Sequence, residues 1–190
     1  MKLRLGLMSA AALTLGITAA VAQGADPKHV LTGAAAEDIG EFNMISGATA
    51  RAISEACEKA ATERNQDAAI VILDNFGNRV HQHRMDGAGR QTAIGTAEMK
   101  ANTALLTRRP SALRMYNVQR DPSQQAREFG MGYFPNAGGM PIYSGKQIIG
   151  FIGVGGMNPT AEWSDEICAY NALTQVVGPQ PPRPTPPARN

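Results

Sequence analysis

The chain has 190 residues, 18 basic against 16 acidic, 5% aromatic residues and two cysteines. Its first 22 residues hold Lys2 and Arg4 and no acid, so without them the charges balance at 16 each. That neutral remainder of roughly 168 residues excludes a strongly basic nucleic-acid face and suits one domain with its own core.

Lys2 and Arg4 precede an apolar run from Leu5 to Ala22 that closes in Ala20-Val21-Ala22, a small-x-small pattern. This predicts a secretory signal peptide over residues 1–22, cut before Gln23, rather than a membrane anchor. The mature protein is then expected in a bacterial periplasm or secreted. Residues 23–45 are small and polar with little periodicity, and are read as a flexible lead-in that includes His29.

Ser46 has the chemistry of a helix N-cap, and Ala50, Ile53, Cys57, Ala60 and Ala61 recur at helical spacing behind it. A first helix is expected over about 47–64. The apolar run 68–73 is too short for a helix and reads as a central strand. Asp74-Asn75-Phe76-Gly77-Asn78 is turn chemistry. A returning strand over 79–85 would set Val80, Gln82 and Arg84 on one face and His81, His83 and Met85 on the other. A second helix is expected over 92–107, with Ala93, Ala97, Ala101 and Ala104 forming a face of small side chains and Lys100 on or beside it. Pro110 ends it. A short amphipathic piece (111–118) follows, then a loop with some helical character (121–132).

Residues 138–156 read as a hairpin turning at Ser144-Gly145-Lys146. The glycines at 150, 153, 155 and 156 weaken a strand unless backbone or ligand comes close. The strand therefore either packs tightly against a helix or forms one wall of a site, and the alanine face of the second helix would let a partner backbone approach closely. A last helix is expected from Asn158-Pro159-Thr160, with Glu162, Asp165 and Glu166 in its first turns. Residues 178–190 are proline-rich and read as a disordered tail or spacer rather than a PxxP ligand. Cys57 and Cys168 both fall on expected helices, as a disulfide or as two buried thiols. Helix, hairpin, helix, hairpin, helix is an α+β plan with helices on one antiparallel sheet.

Five segments occur in order: Ala69-Ile70-Val71-Ile72-Leu73-Asp74 with Gly77; Arg84-Met85-Asp86-Gly87-Ala88; Ala97 with Lys100, Ala101, Thr103 and Ala104; Gly138-Gly139 with Pro141 and Ile142; and Ile149-Gly150 with Ile152, Gly153, Val154 and Gly156. Together they resemble the GlcG/HbpS haem-binding family, whose domain also forms the C-terminal part of a propanediol-operon cobalamin adenosyltransferase. The resemblance covers about residues 46–177. It implies a profilin-like or PAS-like antiparallel sheet with flanking helices, a homo-oligomer, and haem as cofactor in several members; the glycine-rich strand and the alanine-faced helix are then expected to enclose a cavity fit for that flat anionic pigment. Some relatives use a histidine of the first helix as iron ligand. This sequence has none between Ser46 and Arg64.

Imidazole and thioether are both axial ligands of haem iron, which points to His81, His83 and Met85. The same two histidines also suit Cu(II), Ni(II) or Zn(II), although no acidic or Cys partner completes a site. The alternative is a solvated outer face. Arg84 is read either as a bidentate grip on a propionate or small organic acid, or as an ion pair with Asp86 or Glu98. Lys100 either reaches an anionic ligand or lays its stem along its helix. Gly138-Gly139 either presents N–H groups to a carboxylate or forms a turn. No nucleophile with base and orienter, phosphate loop or dinucleotide fingerprint is present. The sequence thus points to an exported protein for haem capture, buffering or sensing. An accessory subunit that binds a small organic acid or a partner enzyme is the alternative.

Overall fold

The computed structural model describes residues 43–89, 92–160 and 162–186. The expected signal peptide, most of the lead-in and His29 lie outside the described residues. Ser46, in extended backbone, accepts a hydrogen bond from Thr49 N at 3.2 Å and so starts helix α1 (Gly47–Thr62). The apolar positions spaced along α1 become its buried face: Ala50, Ile53, Cys57 and Ala61. Strand β1 (Ala69–Leu73) is buried from end to end, as a continuous apolar run requires. Strand β2 (Arg79–Arg84) returns beside it, and helix α2 (Thr92–Thr107) follows. Helix α3 (Ala112–Arg120), a 3-10 turn (Pro122–Gln124) and helix α4 (Gln125–Gly130) lead to the hairpin β3 (Gly139–Ser144) and β4 (Gln147–Gly155). Helix α5 (Asp165–Val176) closes the fold.

The four strands form one antiparallel sheet of order β2-β1-β4-β3. Register and alternation separate its faces. Gly139, Val71 and Gly153 align across the sheet and face α2, and Ile70 aligns with His83, Ile72 with His81 and Ile152. Those latter positions face α1, whose Glu58 lies against His83. Cys57 of α1 is bonded to Cys168 of α5, with Cα atoms 5.3 Å apart and both side chains buried. The disulfide was one of two open readings, and it joins the two helices of this layer.

The glycine and alanine positions leave no cavity between them. A Cβ on Gly153 would lie 1.9 Å from Ala97 O and 2.7 Å from Ala101 N, and one on Gly139 2.1 Å from Lys100 O. Glycine lets the α2 backbone rest directly on the sheet. The space expected for a flat pigment is filled by main chain.

Two other expectations are corrected. The last helix begins at Asp165, not Thr160, because Thr160 and Trp163 close a turn on each other: Thr160 N donates to Trp163 O at 2.7 Å and Trp163 N to Thr160 Oγ1 at 3.0 Å. Ser164 is the actual N-cap. The tail, as far as residue 186, is seated on the domain rather than free. Gln180 pairs like a strand residue with the outer edge of β3: Tyr143 N donates to Gln180 Oε1 at 3.0 Å, and Gln180 Nε2 donates to Tyr143 O at 2.9 Å. An amide side chain satisfies an edge that would otherwise invite another strand.

Candidate functional site

The seven candidate residues fall into two groups on different parts of the sheet. His81 and His83 stand on the edge strand β2 with α1 over them, their Cα atoms roughly 7 Å apart as in any extended i, i+2 pair. His83 Nε2 is closed off from solvent and lies 3.4 Å from Glu58 Oε2. His81 is half-buried and holds its proton less tightly than an ordinary histidine. Burial is the largest cause, followed by the positive fields of His83 and Arg51, with Glu55 opposing. His81 therefore favours the neutral imidazole more than an ordinary histidine does, and that is the form that donates a lone pair to a metal.

Met85 does not extend this row. It is 8% exposed, and its Sδ accepts a hydrogen bond from Ala68 N at 3.3 Å, pinning the start of β1. A thioether turned into the core and already in use is no axial ligand. Arg84 projects from the opposite face to the histidines and donates from Nη1 to Ala88 O at 3.1 Å, tying the end of the hairpin. Glu98, weighed as its ion-pair partner, pairs with Arg79 instead. Among the described residues no three His, Cys, Asp or Glu side chains converge to hold a metal ion.

Lys100, Gly138 and Gly139 are brought together, and they hold one another. Lys100 is 2% exposed. Its Nζ donates to Val154 O at 3.0 Å and to Asp165 Oδ2 at 2.6 Å. Gly139 N donates to Ser111 Oγ at 2.9 Å, and Ser111 Oγ donates to Asn136 O at 2.6 Å. The charge and N–H group expected to meet an anionic ligand are thus satisfied internally. Gly138 is what lets the layers meet. Its φ is +120°, and a Cβ there would press on Val154 O (2.7 Å), Asp165 Cβ (2.8 Å) and Lys100 Cδ (3.2 Å). Through that gap an ion pair links α2, on one face of the sheet, to the start of α5, on the other. Burial pushes the Asp165 carboxyl up, while the Lys100 ammonium and the Met157 N–H pull it back.

Beside this pair lies a cleft of about 470 Å³, which sequence reasoning missed. Asp165, Glu166, Tyr116 and Asn136 give it polar walls, Met115 and Met157 apolar ones, and residues 183–186 of the tail border it. Glu166 is 5% exposed, and its Oε1 has no hydrogen-bond partner. Burial pushes the Glu166 carboxyl up, and Arg183 and Lys100 oppose that rise. The one available signal was Lys100 itself. A lysine on an all-alanine face needs a buried counter-charge, but nothing in the sequence says that Asp165 supplies it.

An antiparallel sheet with one helix laid bare-backbone on one face and a disulfide-linked pair on the other defines a profilin-like or PAS-like α+β domain. The chain belongs to the family described as "Haem degrading protein HbpS-like", whose profile matches residues 45–174. Solved structures agree. The Klebsiella pneumoniae protein ORFY is 27% identical, with a TM-score of 0.61 over 70% of this chain and 93% of its own. HbpS is likewise 27% identical, with a TM-score of 0.61 over 73% of this chain and 93% of its own. PduOC, solved as a haem complex, shares the fold at 20% identity and a TM-score of 0.60, over 69% of this chain and 94% of its own. No curated protein matches the chain.

Proposed function

We propose that this is an exported haem-binding protein that captures, buffers or senses haem, with His81 as the iron ligand. The observation that carries this reading is His81 itself: a half-buried imidazole on an edge strand, biased toward its neutral form by burial and then by neighbouring charge. Arg51 on α1 acts on the same imidazole, and in this reading it meets a haem propionate. His83, drawn toward Glu58, plays the smaller part. The family description supports the choice of haem over other metal ligands. The disulfide supports export, because such a bridge persists in an oxidising compartment. As part of the same proposal the working form is a homo-oligomer, with the outer edge of β2, unpaired among the described residues, as one contact.

Hemin titration of the mature protein tests this. A saturable, shifted Soret band at a stoichiometric ratio is expected for the wild type, lost in His81→Ala and weakened in His83→Ala and Arg51→Ala. An unshifted Soret band in the wild type overturns haem binding. A band unchanged in His81→Ala overturns the ligand assignment. Because proton competition with iron follows the His81 pKa, haem is expected to stay bound below the pH range where an ordinary histidine charges, near pH 6.5.

A further inference from the structure

The cleft beneath the tail has the make-up of a second ligand site, and it does not suit haem. Its volume of about 470 Å³ is that of a small-molecule pocket. Its floor is the start of α5, where Asp165 is neutralised by Lys100 while the buried Glu166 Oε1 is left without a hydrogen-bond donor. A buried carboxyl oxygen without a partner is costly, and a ligand that supplies a donor recovers that cost. The walls from Met115, Met157 and Ile167 suit an apolar body. A carboxylate or propionate there would bring no donor to Glu166 Oε1.

Among the described residues, the cation lining the cleft is Arg183, from the tail. Arg183 lies with its guanidinium carbon 5.7 Å from the Tyr170 ring centre, and its charge opposes the rise of the Glu166 carboxyl. It stands near Glu166 without hydrogen-bonding Oε1. The tail is held in this position by Gln180 on the β3 edge, so the guanidinium is a tethered neighbour of the site.

We infer that this cleft binds a small organic cation, an ammonium or guanidinium group on an apolar body, through Glu166, and that Arg183 is its built-in competitor. A cation donating to Oε1 forms a charge-assisted hydrogen bond, while its body fills the methionine-lined wall. Arg183 holds the same field at an effective concentration set by the short tail, so the ligand must displace its influence to bind.

Three probes of one shape decide the chemistry: benzylamine, benzyl alcohol and benzoate. Trp163 is the chain's single tryptophan and lies next to Ser164 of the cleft, so its emission reads occupancy; calorimetry gives the affinity. Saturable binding is expected for benzylamine, weaker binding for benzyl alcohol and none for benzoate. Glu166→Gln is expected to weaken benzylamine at least about tenfold, as loss of a charge-assisted bond does. Arg183→Ala is expected to tighten it several-fold. Thermal melts of each variant separate misfolding from lost binding. Benzoate binding as well as benzylamine, no benzylamine binding by the folded wild type, unchanged affinity in a folded Glu166→Gln, or weaker binding in Arg183→Ala each overturns the inference. None of these outcomes depends on hemin, so the haem proposal stands or falls apart from them.

Discussion

Gly153→Ala is the sharpest perturbation of this fold. The added Cβ would sit 1.9 Å from Ala97 O and 2.7 Å from Ala101 N, whereas real Cβ contacts stay beyond 3.0 Å. Both obstructing atoms are main chain, so no side chain can rotate away. Helix α2 must retreat by about 1 Å along much of its contact with β4, or the strand must buckle. Overpacking a close-packed core by one methyl typically costs about 1–3 kcal/mol, and a main-chain obstruction places this case at or above the top of that range. We expect a loss of about 3–5 kcal/mol, a fall of roughly 6–20 °C in Tm for a domain of this size. Gly95→Ala is the matched control. It lies in α2 itself with nothing within 4 Å of the new Cβ, so better helix propensity should raise stability by up to about 1 kcal/mol. Urea and thermal unfolding of both variants check the pair. A Gly153→Ala protein within about 1 kcal/mol of wild type would mean that the glycines do not set the helix–sheet distance.

Other outcomes follow from single features. Replacing Cys57 and Cys168 with alanine frees a loop with a sequence separation of 111, and unfolded-chain entropy puts the loss at about 4–5 kcal/mol by denaturant melts. Lys100→Met leaves Asp165 buried without its cation and should cost about 3–5 kcal/mol; adding Asp165→Leu should recover most of it, which a double-mutant cycle measures. NMR titration should place His81 below the ordinary histidine value, and His83→Ala should move it only part of the way back, because burial is the larger cause. The sign for stability follows. His81 is depressed in the fold, so its contribution is present above about pH 6.5 and fades as pH falls through its lowered value. Melts of His81→Ala against wild type between pH 7 and pH 5 should converge.

The elements that local patterning controls were legible. Helix α2 starts and stops at Thr92 and Thr107 as the alanine spacing implies, and β1 is the buried run that its composition demands. Alternation along β2 put His81 and His83 on one face, and Glu58 of α1 lies against it. What stayed hidden depends on distant partners. The α5 start moved because Thr160 and Trp163 bond to each other, a local competition that helix-start signals do not rank. The seating of the tail hangs on one side chain, Gln180, matching the unpaired edge at Tyr143, and composition alone reads such a segment as free. Met85 was placed with the histidines by parity, yet a β-strand's parity ends where the strand does, and Met85 lies one residue past Arg84. The cleft was invisible because its walls come from α3, α5, the β3 approach and the tail.

The position of any ligand follows from the glycines. On the α2 face, Gly139, Gly153 and Gly155 bring helix main chain within contact of strand main chain, so that face cannot open without separating the layers. On the other face, α1 and α5 are joined by the disulfide and packed on Ile152 and Val154. Both faces of the sheet are therefore closed by features that resist movement. On the two proposals, ligand chemistry is left to the margins: to the β2 edge, where His81 is partly open, and to the strand ends under the tail, where Glu166 Oε1 lacks a donor. Substitutions that loosen the α2 face should thus reduce stability well before they alter hemin or benzylamine affinity, whereas changes at His81 or Glu166 should alter binding by far more than any change in melting accounts for. If Gly153→Ala, while still folded, abolished hemin binding as fully as His81→Ala, the ligand would have to reach the buried layer, and the separation of scaffold from margin would be wrong.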